Sequence, residues 1–289
     1  MSMLRTQPGS PSARGPAGPP LPRQGTTTRV SELERERANP LGSFLRARRE
    51  RITPEQAGIG AHGVRRVPGL RREEVALLAG ISADYYLRLE RGRDRRPSGQ
   101  VLGALAAVLR LDRDETAYLE ALGSERISKP HESGPEEDVP ASAIRLLHAL
   151  PHPAFIEDRH LDVLAANEHA TALNPRLRPG RNQLRDLLLD HEEQALHPDG
   201  DLAATCLIAS LRHNTAGDLA NSRFIALADE LHRASSRFRQ LWARNDVRAQ
   251  RGATLRLMHP LAGPLRLVRE QLTLNGTADV KLVVYYPET

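Results

Sequence analysis

The stretch that decides the fold of the N-terminal part of the chain is residues 70–93, LRREEVALLAGISADYYLRLERGR. Its apolar residues recur at helical spacing on both sides of Gly80, so it predicts two short helices, 71–79 and 83–91. Gly80 stands where the end of the first helix needs a left-handed residue. Ser82 is a favoured N-cap for the second helix. Two short helices joined by so tight a turn are typical of a helix-turn-helix.

Further helical patterns on both sides of this motif complete a small all-α body. The additional helices expected from periodicity are 41–51, 98–109 and 112–122. In the first motif helix, the residues expected to point inward are Leu70, Val75, Leu78 and Ala79. In the second, Tyr86 and Leu89 lie three apart and share a face. The sequence therefore predicts five short helices around one core. Glu90, at the end of the motif, is expected to pair with an arginine of the same body.

Composition divides the chain into four segments. Residues 1–38 are rich in proline, glycine and arginine and lack an apolar run, so we expect a disordered tail rather than a signal peptide. The polar, acidic, proline-containing stretch 124–140 is typical of a linker. The two bodies that remain are the helical residues 39–123 and a second domain at residues 141–289.

The arginines of the chain are concentrated in one stretch of the helical body. The whole chain has a formal net charge of +5. Between Ala38 and Arg110, fourteen arginines stand against seven acidic residues, so this part carries an excess of seven and the rest carries −2. A basic body beside a mildly acidic one favours binding to a polyanion such as nucleic acid. A solvated arginine-rich surface is the alternative interpretation of the same charge.

The second body alternates between strand-like and helical patterns. The expected helices are 144–150, 167–173, 184–189, 202–212, 224–235 and 237–248. The expected strands are 154–156, 161–165, 254–258, 265–268, 271–274 and 281–286. Strands, then helices, then an antiparallel set predict an α+β domain with helices packed on one face of a sheet.

The sequence shows no motif of a catalytic or metal site. Among eleven histidines none has helical metal-binding spacing, and the pair His148 and His152 is interrupted by Pro151, which would break a helix. Cys206, the only cysteine, lies in an apolar run and is expected to be a buried structural thiol. Neither a glycine-rich phosphate loop nor a nucleophile elbow is present. We therefore expect a protein that is not an enzyme, with no metal and no cofactor.

The segment 65–93, RRVPGLRREEVALLAGISADYYLRLERGR, resembles the Xre-family helix-turn-helix of actinobacterial MmyB-like transcription regulators. The similarity continues through PSGQVLGALAAVLRLDRDE at 97–115 and, in the second body, through AFIEDRHLDVLAAN, FRQLWARNDV and LVVYYPE, so that it covers all but the tail. The resemblance implies a multidomain transcription regulator. Its N-terminal domain would be lambda-repressor-like and bind double-stranded DNA, and its C-terminal domain would be PAS-like and hold a small apolar ligand such as a fatty acid.

In a helix-turn-helix the second helix enters the major groove while the first crosses the backbone. We therefore expect Ala83, Tyr85 and Arg88 to face base edges, with Arg88 paired to a guanine. Ser82 is a candidate phosphate contact as well as a cap. For Asp84, a helix-dipole role and a contact to cytosine are both open. The expected phosphate contacts are Arg71, Arg72, Arg91, Arg93, Arg95 and Arg96.

The second body is expected to contain a ligand site. The candidate ligand-binding residues are Phe155, Asn167, Phe238 and Trp242. For Trp242, a place in the core and a place over the ligand are both open. The chain departs from the family that it resembles at Ala166 and Asn245, where members commonly have Trp and His, and near Gly200, where they commonly have Trp. If those positions line the family's cavity, this pocket is wider or differently shaped.

Two functions remain open for the second body. It either binds a ligand that controls DNA binding, or it only dimerises or binds a protein partner; a hydrolase-like domain is a weaker third option. A cavity of several hundred Å³ favours the first, and a filled core favours the second. A homodimer is expected because helix-turn-helix proteins commonly read paired half-sites. No apolar run is long enough for a membrane span, so we expect no membrane contact and a cytoplasmic, nucleoid-associated protein.

Overall fold

The computed structural model describes residues 37–60, 68–124, 139–250, 252–275, 277 and 280–288 of the chain. Residues 1–36 of the predicted disordered tail and residues 125–138 of the predicted linker lie outside the described residues. The N-terminal body contains the helices α1 (Pro40–Arg51), α2 (Arg72–Leu78), α3 (Ala83–Glu90), α4 (Gly99–Val108) and α5 (Arg113–Gly123). All five correspond to predicted helices, and their ends shift by one residue at most.

Local interactions explain the tight turn between α2 and α3. Gly80 has a φ of 68°, and the amides of Gly80 and Ile81 close the end of α2 on the carbonyls of Leu77 and Ala76. The Oγ atom of Ser82 accepts a hydrogen bond from the Tyr85 amide at 3.1 Å, which caps α3. The predicted left-handed glycine and the predicted N-cap are both confirmed.

The core of the N-terminal body joins all five helices. Tyr86 and Leu89 are fully buried, as predicted, and the rings of Phe44 and Tyr118 meet edge to face at 5.1 Å between centroids. The prediction for Leu78 is wrong, because this side chain is exposed and Ala76 takes the buried position. A small residue there lets the two motif helices approach closely.

The C-terminal body interleaves helices with a sheet. Its helices are α6 (Ala141–Ala149), α7 (Glu168–Leu173), α8 (Gln183–Leu189), α9 (His191–Leu196), α10 (Gly200–Asn214), α11 (Ser222–Ala234) and α12 (Ser236–Trp242). Its strands are β1 (Ala154–Glu157), β2 (Val163–Ala166), β3 (Ala253–His259), β4 (Gly263–Thr273) and β5 (Lys281–Pro287). The strand order is β2-β1-β5-β4-β3, and every neighbouring pair is antiparallel.

The C-terminal body differs from the predicted elements most clearly at three places. The predicted helix 237–248 ends at Trp242, and Asn245 just beyond it adopts a left-handed φ of 56°. The runs 265–268 and 271–274 form the single strand β4, because the charged residues between them stay in the ladder with β5. Helix α9 was not predicted.

Helices cover both faces of the sheet near β1. The side chains of β1 alternate: Phe155 joins the core beneath α7 and α9, and Ile156 joins the core beneath α6. The prediction of helices on a single face is therefore wrong for α6. Most helices nevertheless lie on one side, where α8, α10, α11 and α12 share a core around Trp242. This arrangement leaves room between the helices and β3–β5.

The two bodies pack against each other through the residues that follow α12. Val247 is buried in the core of the N-terminal body. The Arg48 guanidinium donates from Nη2 to the carbonyl of Asn245 at 2.7 Å, and the Ala249 amide donates to Asp114 at 3.0 Å. Among the helices in the described ranges, none has both the length and the apolar character that crossing a membrane requires.

Candidate nucleic-acid interface and ligand cavity

Helix α3 presents two different faces. Tyr86, Leu89 and Glu90 point into the body and are fully or almost fully buried. Ser82, Ala83, Asp84 and Arg88 are exposed on the other face, and Tyr85 is half-buried beside them. The structure thus brings together all the residues that were predicted to face bases.

On the exposed face, Arg88 is held by two neighbours within one helical turn. Its Nη1 atom donates to the Asp84 carboxylate, and its guanidinium lies 5.4 Å from the centroid of the Tyr85 ring. Burial raises the pKa of Tyr85 above its ordinary value, so the phenol keeps its proton at neutral pH. Asp84 therefore has a partner that neither of its two predicted roles included. The contacts orient Arg88 while leaving it accessible.

The arginines that flank the motif helices differ in their exposure to solvent. Those exposed at the ends of α2 and α3 are Arg71, Arg91, Arg93, Arg95 and Arg96. Arg72 instead donates from Nε to the Glu90 carboxylate at 2.6 Å and is only half-exposed. It is thus tied to the interior of the domain, whereas the side chains of the other five are exposed to solvent.

A buried ion cluster holds α1, α2 and α3 together. Glu90 is fully buried and accepts from Arg49 Nε at 2.7 Å and from Arg72 Nε. Arg49 also donates to the Leu70 carbonyl at 3.0 Å. Burial alone would raise the pKa of Glu90, but the hydrogen bonds from both arginines outweigh it and hold the pKa below its usual range. The prediction that Glu90 pairs within its own domain is confirmed.

The C-terminal body contains a cavity of about 300 Å³ between its helices and its sheet. Helices α8, α9 and α10 form one wall, and β3, β4 and β5 form the other. Its apolar lining includes Leu173, Leu177, Leu187, Leu207, Leu255 and Leu257. This volume is within the range of small-molecule sites, which are mostly apolar with a few placed polar groups.

On the sheet wall of the cavity, the charge of Arg269 is balanced by a buried carboxylate. Arg269 lines the cavity, and its Nη2 lies 3.1 Å from both carboxylate oxygens of the fully buried Glu157. Gln183 and Gln271 also donate to that carboxylate. Burial raises the pKa of Tyr285, which lies next to Arg269, so this phenol stays neutral.

The helical wall has a second polar cluster around Glu193. This buried carboxylate accepts from Asn174 Nδ2 at 2.9 and 3.1 Å, and His197 Nε2 lies 3.0 Å away. At the rim of the cavity, Asp199 and Arg256 form an ion pair. The cavity therefore offers hydrogen-bonding groups at its walls while most of its charges already have partners.

The four predicted ligand-binding residues do not line this cavity. Phe155 packs in the core against Tyr285, at 5.8 Å between ring centroids. Asn167 caps α7, accepting from the Ala170 amide at 2.9 Å, and donates to the carbonyl of residue 152. Phe238 and Trp242 stack on each other at 5.2 Å in the helical core. The structure thus places all four where they hold the domain together.

The residues that do line the cavity were missed for an identifiable reason. On α10, Leu202, Ala203, Cys206 and Leu207 lie at spacings of one, four and five residues, which puts them on one helix face. Cys206 is half-buried there rather than fully buried as expected. In the sequence, this apolar helix face is indistinguishable from one that packs in a core. The sequence does not reveal that a cavity separates it from the strands.

Neither site has the features of a metal centre. Within the described ranges, no group of three or more His, Cys, Asp or Glu side chains is arranged to hold an ion. The lining residues of the cavity offer hydrogen bonding and apolar contact. The exposed residues of α3 offer hydrogen bonding and charge.

An exposed, arginine-flanked helix of a helix-turn-helix, joined to a cavity-containing α+β domain, defines a transcription regulator with a DNA-binding domain. Residues 40–119 match the family model of a helix-turn-helix domain. Residues 139–289, more than half of the chain, match the model described as the MmyB-like transcription regulator ligand binding domain. The chain therefore belongs to the MmyB-like transcription regulators, and neither matched family is one of enzymes. A comparison with curated proteins found no match.

Proposed function

We propose that this regulator binds a specific double-stranded DNA sequence and that a small apolar ligand, such as a fatty acid, controls this binding. The ligand would occupy the cavity of the C-terminal body. The proposal includes a homodimer on paired half-sites and a cytoplasmic, nucleoid-associated location. The observation that carries it is the cavity of about 300 Å³, because a domain that only dimerised would need no such space.

The DNA contacts in this proposal come from the exposed face of α3 and its flanks. Ala83, Tyr85 and Arg88 face base edges, and the Arg88 fork is suited to the two acceptors of guanine. Ser82 and Asp84 stand at the N-terminal end of the same helix, close to the expected path of a phosphate and of a base edge. Phosphate contacts come from Arg71, Arg91, Arg93, Arg95 and Arg96, and Arg72 contributes while it is anchored on Glu90.

The binding of DNA is tested by genome-wide occupancy of the protein, followed by analysis of the bound sequences. We expect enriched paired half-sites about one helical turn apart, as a two-fold dimer requires. With purified protein and the enriched site, five or six phosphate contacts give a log–log dependence of affinity on salt with a slope of about −5. Enrichment at background level, or a slope near zero, would overturn the proposal.

The control by ligand is tested with the same DNA site and a fatty acid. Dodecanoate, below its micelle-forming concentration, is expected to change the affinity for the site and to bind with one molecule per chain. The alternative function, a C-terminal body that only dimerises or binds a protein, predicts no binding of dodecanoate and no change in affinity. Calorimetry and a DNA-binding assay separate the two functions.

A further inference from the structure

Residues 245–250, here called the connecting segment, face both bodies of the protein in alternation. Val247 is buried in the core of the N-terminal body, and the Ala249 amide donates to Asp114 of α5. Between and beyond them, Arg248 and Gln250 line the cavity. One short segment therefore contacts the DNA-binding body and the cavity at once.

The start of the connecting segment is held firmly from both sides. The carbonyl of Asn245 accepts from Arg48 of α1 at 2.7 Å, and its Oδ1 atom accepts from Arg212 of α10 at 2.9 Å. Arg48 is itself buried and paired with Glu115 at 2.7 Å. Arg212 also donates to the carbonyl of Trp242 and lies 3.9 Å over its ring. A shift of the segment therefore has to move groups in both bodies.

The charges that line the cavity leave one cation without an anionic partner. Arg269 is paired with Glu157, and Arg256 is paired with Asp199. In the part of the chain that the structure describes, the side chain of Arg248 has no carboxylate partner. It is exposed, so it stands where the cavity meets solvent. The apolar lining residues Leu187 and Leu257 are buried, in contrast to this exposed charge.

We propose that Arg248 binds the anionic head of an amphiphilic ligand whose apolar tail fills the cavity, and that this contact couples ligand binding to the packing of the two bodies. The proposal rests on the proposed ligand site and names its specificity-determining residue. An anion at Arg248 adds a third anchor to a segment already held through Arg48 and Asp114. Neutral amphiphiles of the same length fill the cavity without using this anchor.

The head-group assignment is tested by calorimetry with dodecanoate and dodecanol as probes. In Arg248→Gln, the affinity for dodecanoate is expected to fall about three- to tenfold, as for a charge pair close to solvent, and the affinity for dodecanol is unchanged. Arg244→Gln is the matched control, because Arg244 is an exposed cation four residues earlier and does not line the cavity. Equal affinities of both variants and the native chain for dodecanoate would overturn the assignment.

The coupling is tested by hydrogen exchange of the full chain with and without dodecanoate. We expect slower exchange in the connecting segment, including the Ala249 amide, and at the end of α1 around Arg48, and no such protection in Arg248→Gln. Protection confined to the cavity walls contradicts the coupling but leaves ligand binding intact. If the native chain binds neither probe, the proposed ligand site itself fails, and the two failures are thus distinguishable.

Discussion

The proposed DNA-binding surface, called the DNA-binding surface below, and the cavity of this protein are assembled in opposite ways. The surface on α3 and its flanks comes from one run of about two dozen residues, and its turn and cap are made by neighbours in sequence. The cavity is lined by residues between Leu173 and Tyr285, from four helices, three strands, the connecting segment and loops between them. A site formed within one short run of sequence is determined by turns and caps in that run. A cavity between helices and a sheet depends on the distance at which these elements pack.

The same contrast holds for charge. Behind the DNA-binding surface, Glu90 is neutralised by Arg49 and Arg72, and the arginines outside it stay exposed. Behind the cavity, Glu157 neutralises Arg269, and Arg248 alone stays without a carboxylate among the described lining residues. In each region, the buried carboxylate is thus paired with arginine. Exposed arginines remain on the side where the proposed partner, DNA or ligand, would bind.

The largest expected effect concerns the buried cluster beneath α3. Glu90→Ala leaves Arg49 buried without its partner, so the N-terminal body is expected to lose about 3 kcal/mol of stability. Native-state hydrogen exchange of the amides of α1–α3 measures the loss. The control is Asp84→Ala on the exposed face of the same helix, which is expected to change stability by about 0.5 kcal/mol or less. Equal losses would contradict the distinction between the two faces.

The next effect concerns sequence recognition. Arg88→Ala is expected to cost about 2 kcal/mol of binding free energy at one base position, measured by titration of the site and of single-base variants. Arg71→Ala is the comparison: it should weaken binding to every sequence and make the salt slope shallower by about 1. If Arg88→Ala weakens binding to all DNA sequences equally, Arg88 is a phosphate contact. Fewer side chains of α3 then recognise bases than proposed.

A smaller effect is expected from filling the cavity. Ala203→Phe places a ring in the space between α10 and β3, so dodecanoate affinity is expected to fall at least about tenfold, which is about 1.4 kcal/mol. DNA binding without ligand should stay unchanged. Thr205→Phe, on the same helix outside the lining, is the control for calorimetry. Loss of dodecanoate binding in both variants would point to a damaged helix instead.

The smallest effect is a pH dependence in the C-terminal body. The hydrogen bonds from Arg176 lower the pKa of Asp190 to about 2. A carboxylate whose pKa is lowered by folding contributes stability above its unfolded pKa, and the contribution fades as pH falls from about 4 toward 2. Asp190→Asn keeps the cap of α9 and removes the charge. It should cost about 1 kcal/mol at neutral pH and nothing near pH 2, as followed by thermal unfolding.

Sequence reasoning reached the DNA-binding surface more closely than the cavity. Gly80, Ser82 and the inward pair Tyr86 and Leu89 were predicted because each depends on residues within a few positions. The anchoring of Arg72 on Glu90 was missed, since it depends on how α2 crosses α3. For the ligand, the sequence points to the large aromatic side chains Phe155, Phe238 and Trp242, but the fold packs them in its hydrophobic cores.

The amino-acid sequence by itself determined the helix-turn-helix, the location of the positive charge and the family of the protein, because caps, turns and periodicity act over one or two helical turns. Only the tertiary structure decided where the cavity lies and how the bodies connect. Arg48 and Asn245 are 197 positions apart in the chain, and nothing local brings them to 2.7 Å. Their contact results from packing two cores together, and the burial of Val247 in the other body is part of that packing.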